Sequence, residues 1–282
     1  MFASGSYLSG NTAFGSLIFA QDSAVLLRNC SVRDSRDILR LEYSTALVQS
    51  TTFSRILTTA EAFSLIESNF TLQDVSFNIV QGAGNFLLSG LSTSQVYMSK
   101  VHVTDLTCKE EAVKVTNSLL LLQNVTIRNV VCEATKAVIN SMQSIVTLTD
   151  VHWTRSSSQV LSAQASSLAL NSCFFADIHT MQQVGVLSCL DCALIYIQHT
   201  TVELVTAKLV GAVWASATEV TIQNSSFAGL SADYTGAVHV SADFFQLSDS
   251  SFSHITASGS TSSGDALWLS GGQLTIVRSS FI

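Results

Sequence analysis

The chain has 282 residues, a formal net charge of −7, 12% charged and 47% hydrophobic residues, and no proline. Its 13 basic residues are scattered along an acidic chain, so they form no phosphate-binding surface and no nucleic acid partner is expected. The first 21 residues carry no charge, but they are broken by Ser, Gly and Asn and lack a basic start, so neither a signal peptide nor membrane insertion by this segment is expected.

One phrase recurs from the N-terminus onward. It stands as LLRNCSV at 26–32, LQDVSF at 72–77, LQNVTI at 122–127, LTDVHW at 148–153, IQNSSF at 222–227, LSDSSF at 247–252 and IVRSSF at 276–281. Its last apolar residue serves as an anchor and marks Tyr7, Val32, Phe53, Phe77, Val103, Ile127, Trp153, Phe175, Val202, Phe227, Phe252 and Phe281. The eleven intervals span 274 residues and average 24.9, which is the signature of a repeat architecture.

Within each repeat the apolar positions alternate with period two, which predicts strands rather than helix pairs. Seven residues before the anchors lie Val25, Ala46, Phe70, Val96, Leu120, Val146, Leu168, Ile195, Val220, Phe245 and Leu274. Five before lie Leu27, Val48, Leu72, Met98, Leu122, Leu148, Leu170, Ile197, Ile222, Leu247 and Ile276, and both columns should face inward. Three before, the chain turns polar at Asn29, Ser50, Asp74, Lys100, Asn124, Asp150, Ser172, Asn224, Asp249 and Arg278, mostly types suited to a corner, and Thr200, two before its anchor, is assigned to the same column. An apolar residue returns three after most anchors, as at Ile56, Val80, Leu106 and Val130. A looser third strand follows, as in GAVWAS (211–216) and GAVHVS (236–241). Strands that pair with their own equivalent one coil on, about 4.8 Å away, predict an all-β solenoid of about 11 to 12 coils rising roughly 55 to 60 Å. Serine and threonine, 70 of 282 residues, would coat its exterior.

The Asn or Asp placed three residues before an aromatic, at Asp74/Phe77, Asp150/Trp153, Asn224/Phe227 and Asp249/Phe252, resembles the repeat of the right-handed parallel β-helix superfamily typified by pectate lyases. The resemblance covers the whole chain and implies a right-handed parallel β-helix. That fold serves polysaccharide lyases and hydrolases, tailspikes, adhesins and inert stalks alike, so it leaves function open. A weaker resemblance, to the repeats of chlamydial polymorphic membrane proteins, rests on Gly211-Ala212-Val213 and Gly236-Ala237-Val238. The asparagine of that motif is replaced by Leu230 and Ile255. Residues 1–282 are expected to form a single β-helix domain. Since the chain opens inside a coil and stops one residue past an anchor, an excerpt of a longer protein lacking its caps is expected.

Cys108 and Cys132 are 24 residues apart, each five beyond its anchor, and should meet in one corner within disulfide reach. Cys189 and Cys192 form CLDC in an expected connecting segment, either as a loop disulfide or as two thiols. Too few further ligands stand near for zinc, and no metal or cofactor is expected. Cys30 and Cys173 read as buried small residues. Sequons at Asn29, Asn69, Asn124 and Asn224 occur no more often than composition allows. Three of them share the corner position, where bonds to neighbouring backbone are expected instead.

Polyuronate-cleaving enzymes need clustered carboxylates for calcium, or a carboxylate pair for acid and base work. Asp74, Asp150 and Asp249 lie on separated coils, and His102 and His152 have no evident partner, so no catalytic residue is assigned. Lys109 and Glu133 should form a surface ion pair. A column one residue before the anchors is mostly Ser and Thr, interrupted by His102, His152 and Phe174. It is too irregular for ordered water. Trp214, Tyr234 and Trp268 could stack on sugar rings. The expected function is a non-enzymatic structural or adhesive segment of a surface or extracellular protein, contacting glycans or other surface proteins. The alternative is a carbohydrate-binding or polysaccharide-degrading β-helix whose catalytic coils are degenerate or absent.

Overall fold

The computed structural model describes residues 2–9, 17–35, 37–58, 61–82, 86–91, 93–109, 111–132, 137–259 and 266–282. Strands in it pair in parallel with equivalent positions one coil on, and the described residues contain no helix. The protein is an all-β parallel solenoid of about 10 turns with a repeat spacing of roughly 25 residues. Its contacts fall into two units, Met1–Asn140 and Ser141–Ile282.

In the first unit the inner columns form as the alternation requires. Phe70 pairs with Ala46 on one side and Val96 on the other, and Leu72 likewise with Val48 and Met98; all are buried. The anchors Phe53 and Phe77 stack with centroids 4.9 Å apart, and Phe63 meets both edge-on at 5.5 and 5.9 Å. Each such ring removed from water stabilises the coil by about 1.5 to 3 kcal/mol, so the ladder takes the place of a globular core. In the second unit Val220 lies between Ile195 and Phe245, and Phe227 stacks on Phe252 at 4.9 Å. Leu274 (45% exposed) and Ile276 (48%) depart from the rule because the strand Leu267–Val277 pairs on one side only among the described strands.

The corners are left-handed. Asn29, Ser50, Asp74, Lys100, Asn124, Asp150, Ser172, Asn224, Asp249 and Arg278 all have φ between 47° and 54°. One assignment is corrected: His199 (φ 50°), not Thr200, holds its corner. A β-branched residue is disfavoured in that region. Thr200 is instead buried, donating to the Gln198 carbonyl at 3.0 Å and accepting the Cys173 N–H at 3.4 Å.

A second left-handed column, two residues after the anchors, was not foreseen. It comprises Asp34, Arg55, Ile79, Asp105, Asn129, Arg155, Asp177, Leu204, Gly229 and His254, with φ from 51° to 62°. It kinks the strand, which is why the next inward residue comes three after the anchor rather than two.

The residue two before the anchor decides whether the first corner interrupts the strand. With Val75, Val101 or Val125 the strand runs unbroken, as in Asn69–Gly82, Gln95–Cys108 and Leu119–Cys132. With Thr51, Thr200, Ser225 or Ser250 it splits, and the hydroxyl takes over the bonding. Ser225 Oγ donates to the Gln223 carbonyl (2.8 Å) and accepts the Thr200 N–H (3.2 Å), and Ser250 Oγ repeats this one coil on with the Ser225 N–H (3.1 Å). Another serine ladder links Ser23, Ser44, Ser68, Ser94 and Ser118, each N–H donating to the next hydroxyl where described.

Cys108 and Cys132 are ladder partners with Cα atoms 4.4 Å apart and are joined as a disulfide. Cys189 and Cys192 are also joined, but they lie on the strand Leu187–Gln198 and not in a connecting segment. The ladder slips by one residue between them and Asp191 turns left-handed, so the bond closes a β-bulge. Cys30 and Cys173 are buried free thiols. Glu133, the expected partner of Lys109, lies outside the described residues.

Candidate functional site

The second unit carries a groove of about 360 Å³ lined by Gln159, Gln183, Val184, Ser188, Leu209, Val210, Trp214, Tyr234, His239 and Trp268. Strand alternation builds its first wall. Val213 and Ala215 face inward, as do Val238 and Val240, so Trp214 and His239 must face outward. Ser188, Trp214, His239 and Trp268 are consecutive ladder partners and form one column. The second wall comes from the connectors. Leu209 N–H donates to the Gln183 carbonyl (2.9 Å) and Tyr234 N–H to the Leu209 carbonyl (3.2 Å), so Gln183, Leu209 and Tyr234 also advance one coil at a time. Buried Val184 and Val210 lie between the walls.

Glycine makes the second wall possible. A Cβ on Gly185 would collide with the carbonyl oxygen of Gly211, and one on Gly211 with that of Gly236. Only residues without a side chain let these connectors approach so closely.

His239 lies flat on Trp268, with centroids 3.9 Å apart and planes 5° from parallel, and tilts towards Tyr234 at 5.7 Å. Its Nδ1 is 3.4 Å from the Thr235 hydroxyl. Burial pushes its pKa below the ordinary 6.5. At the other end, buried Gln159 donates from Nε2 to Ser188 Oγ (2.7 Å) and to the Leu161 carbonyl (2.9 Å). The site is therefore two indoles, a phenol and an imidazole set among neutral amides and hydroxyls. No Asp, Glu, Lys or Arg is among the lining residues.

Of the residues singled out from sequence, Trp214, Tyr234 and Trp268 come together here, while Cys108 and Cys132 lie in the other unit. His239, Gln159, Gln183 and Ser188 were missed. His239 was nevertheless legible, since it occupies in GAVHVS the place of Trp214 in GAVWAS.

The acidic and histidine candidates do not build a site. Asp74 pairs with Lys100 at 3.8 Å and Asp249 with Arg278 at 2.6 and 2.8 Å, on exposed corners. The Arg278 guanidinium holds the Asp249 carboxyl below its usual range. A shallow depression lined by Asp74, Val75, Ser76, Lys100, His102 and Asn124 has one carboxylate. His102 and His152 are exposed. No group of three or more His, Cys, Asp or Glu among the described residues could hold a metal ion. Asn29, Asn124 and Asn224 are exposed at their corners and make no side-chain hydrogen bond there, against the expected backbone bonding.

No family model and no curated protein matches the chain. Among solved structures, the chain is similar to a double mutant of the periplasmic alginate epimerase AlgG, at 8% identity over 92% of this chain and 76% of that one. The TM-score is 0.26, too loose a superposition to transfer any site.

Proposed function

We propose that this chain is a non-enzymatic, glycan-contacting β-helix segment of a surface or extracellular protein, and that the groove of the second unit is its contact site. The observation that carries the reading is the convergence of Trp214, Tyr234 and Trp268 on one groove with neutral hydrogen-bonding groups between them. Aromatic faces bind the apolar faces of sugar rings, while amides and hydroxyls meet the ring hydroxyls. The lining offers no carboxylate to protonate a leaving group or activate water, which supports binding without cleavage. Two bonded cysteine pairs support an oxidising compartment.

The test is incubation with a panel of neutral glycans and polyuronates, following binding by retention on immobilised polysaccharide and turnover by release of reducing or unsaturated ends. Retention with no release is the expected result. Release that disappears in Asp74→Asn, Asp150→Asn or Asp249→Asn would replace this reading with an enzymatic one.

A further inference from the structure

Building on the reading of the groove as a glycan-contact site, we propose that its ligand is an uncharged oligosaccharide laid along the coil axis, and that uronate chains are rejected. Length argues for an oligosaccharide. The column from Ser188 to Trp268 covers three strand spacings, about 14 Å at the ordinary interstrand distance, which exceeds one sugar ring. The opposite wall advances in the same steps through Gln183, Leu209 and Tyr234. His239 and Trp268 cover each other's facing surfaces, so a chain lying between the walls packs its rings against Trp214 and the edges of that stack, with hydroxyls towards the amide of Gln183 and the phenol of Tyr234.

Charge selects the class of sugar. A carboxylate laid in this groove would give up water and meet no Lys or Arg in exchange. His239, the one lining side chain that could become a cation near neutral pH, is stacked on Trp268. Its burial favours the neutral ring, which supplies no counter-charge at pH 7. The net charge of −7 adds long-range repulsion of any polyanion. A neutral ring gives up only hydroxyl hydration, and the side chains of the groove can replace it.

Isothermal titration calorimetry of the whole chain tests this with cello-, xylo-, manno- and galacto-oligosaccharides of rising length against oligogalacturonates of matched length. The expected result is that a neutral series binds, tightens with length, and exceeds the uronate of equal length by about tenfold or more. Trp214→Ala should weaken that binding by about tenfold. Phe244→Ser, on an exposed face outside the groove, should leave it unchanged. Gln183→Lys places a cation at the exposed rim and should narrow the neutral-to-uronate ratio, a shift that mere structural damage does not produce. If Trp214→Ala loses its β-sheet circular dichroism, the Gln183→Lys ratio decides. Oligogalacturonate binding as tightly as the neutral sugars, and lost in Trp214→Ala, overturns the uncharged class while the glycan reading stands. Absence of binding by every series overturns both.

Discussion

Ile79 holds a left-handed backbone (φ 59°) beneath a β-branched side chain that is 42% exposed. The same column uses Asn129 and Gly229, which tolerate that geometry. Ile79 gains little burial and bears a backbone cost of about 1 to 2 kcal/mol. Ile79→Asn should therefore raise stability by about 1 kcal/mol, read as a higher denaturant midpoint at unchanged slope. A lowered midpoint would mean that the isoleucine contributes packing that its exposure does not reveal. Cys173 offers a second reading at this scale. Burial pushes its thiol from 9.0 up to about 11, so the folded state holds the proton more tightly than the unfolded state. The associated stability is complete below pH 9 and is lost as pH rises towards 11, a change of about 2 to 3 kcal/mol for two pKa units. Cys173→Val, matching Val151 at the same place one coil back, should flatten that fall in denaturation curves taken between pH 8 and pH 11.

At the scale of the element, corner chemistry rests on one side chain per coil. Ser225→Ala should cost about 1 to 3 kcal/mol, because the buried Thr200 N–H loses its acceptor and no water reaches it. Ser226→Ala, one residue on and partly exposed, should cost much less, and equal losses in the two variants would contradict the hydroxyl ladder. The strand, corner, strand plan and both inward columns were legible because an in-register parallel ladder places one position of every coil in the same environment. The kink two residues after the anchor was also written there, as an apolar residue returning at three instead of two. It went unread because Arg55, Ile79 and Leu204 are not turn-forming types. Thr200 stands one residue off the corner register: three before Val202 is His199, and the β-branch of Thr200 and its bond to the Gln198 carbonyl hold it inside.

For the molecule as a whole, thiol titration after unfolding without reductant should count two reactive cysteines, Cys30 and Cys173, with the other four paired. A count of six would remove the support that the disulfides lend to an extracellular setting. Cys108→Ser with Cys132→Ser should lower stability by about 3 kcal/mol, the scale for closing a loop of this length. The loss should appear in hydrogen exchange across the strands Gln95–Cys108 and Leu119–Cys132. The sequence by itself determined the period, the strand identity, the inward ladders and the meeting of Cys108 with Cys132, since each follows from counting residues along a repeat of nearly constant length. Only the tertiary structure decided that Trp214, Tyr234, His239 and Trp268 face one groove. Tyr234 stands on a connector whose path depends on the close contact of Gly185, Gly211 and Gly236. His239 and Trp268 are 29 residues apart, a longer step than the mean repeat, and they stack because the strands beneath them pair at that register. Outward side chains carry no periodic constraint of their own, so their convergence is set by how the connectors fold over the coils.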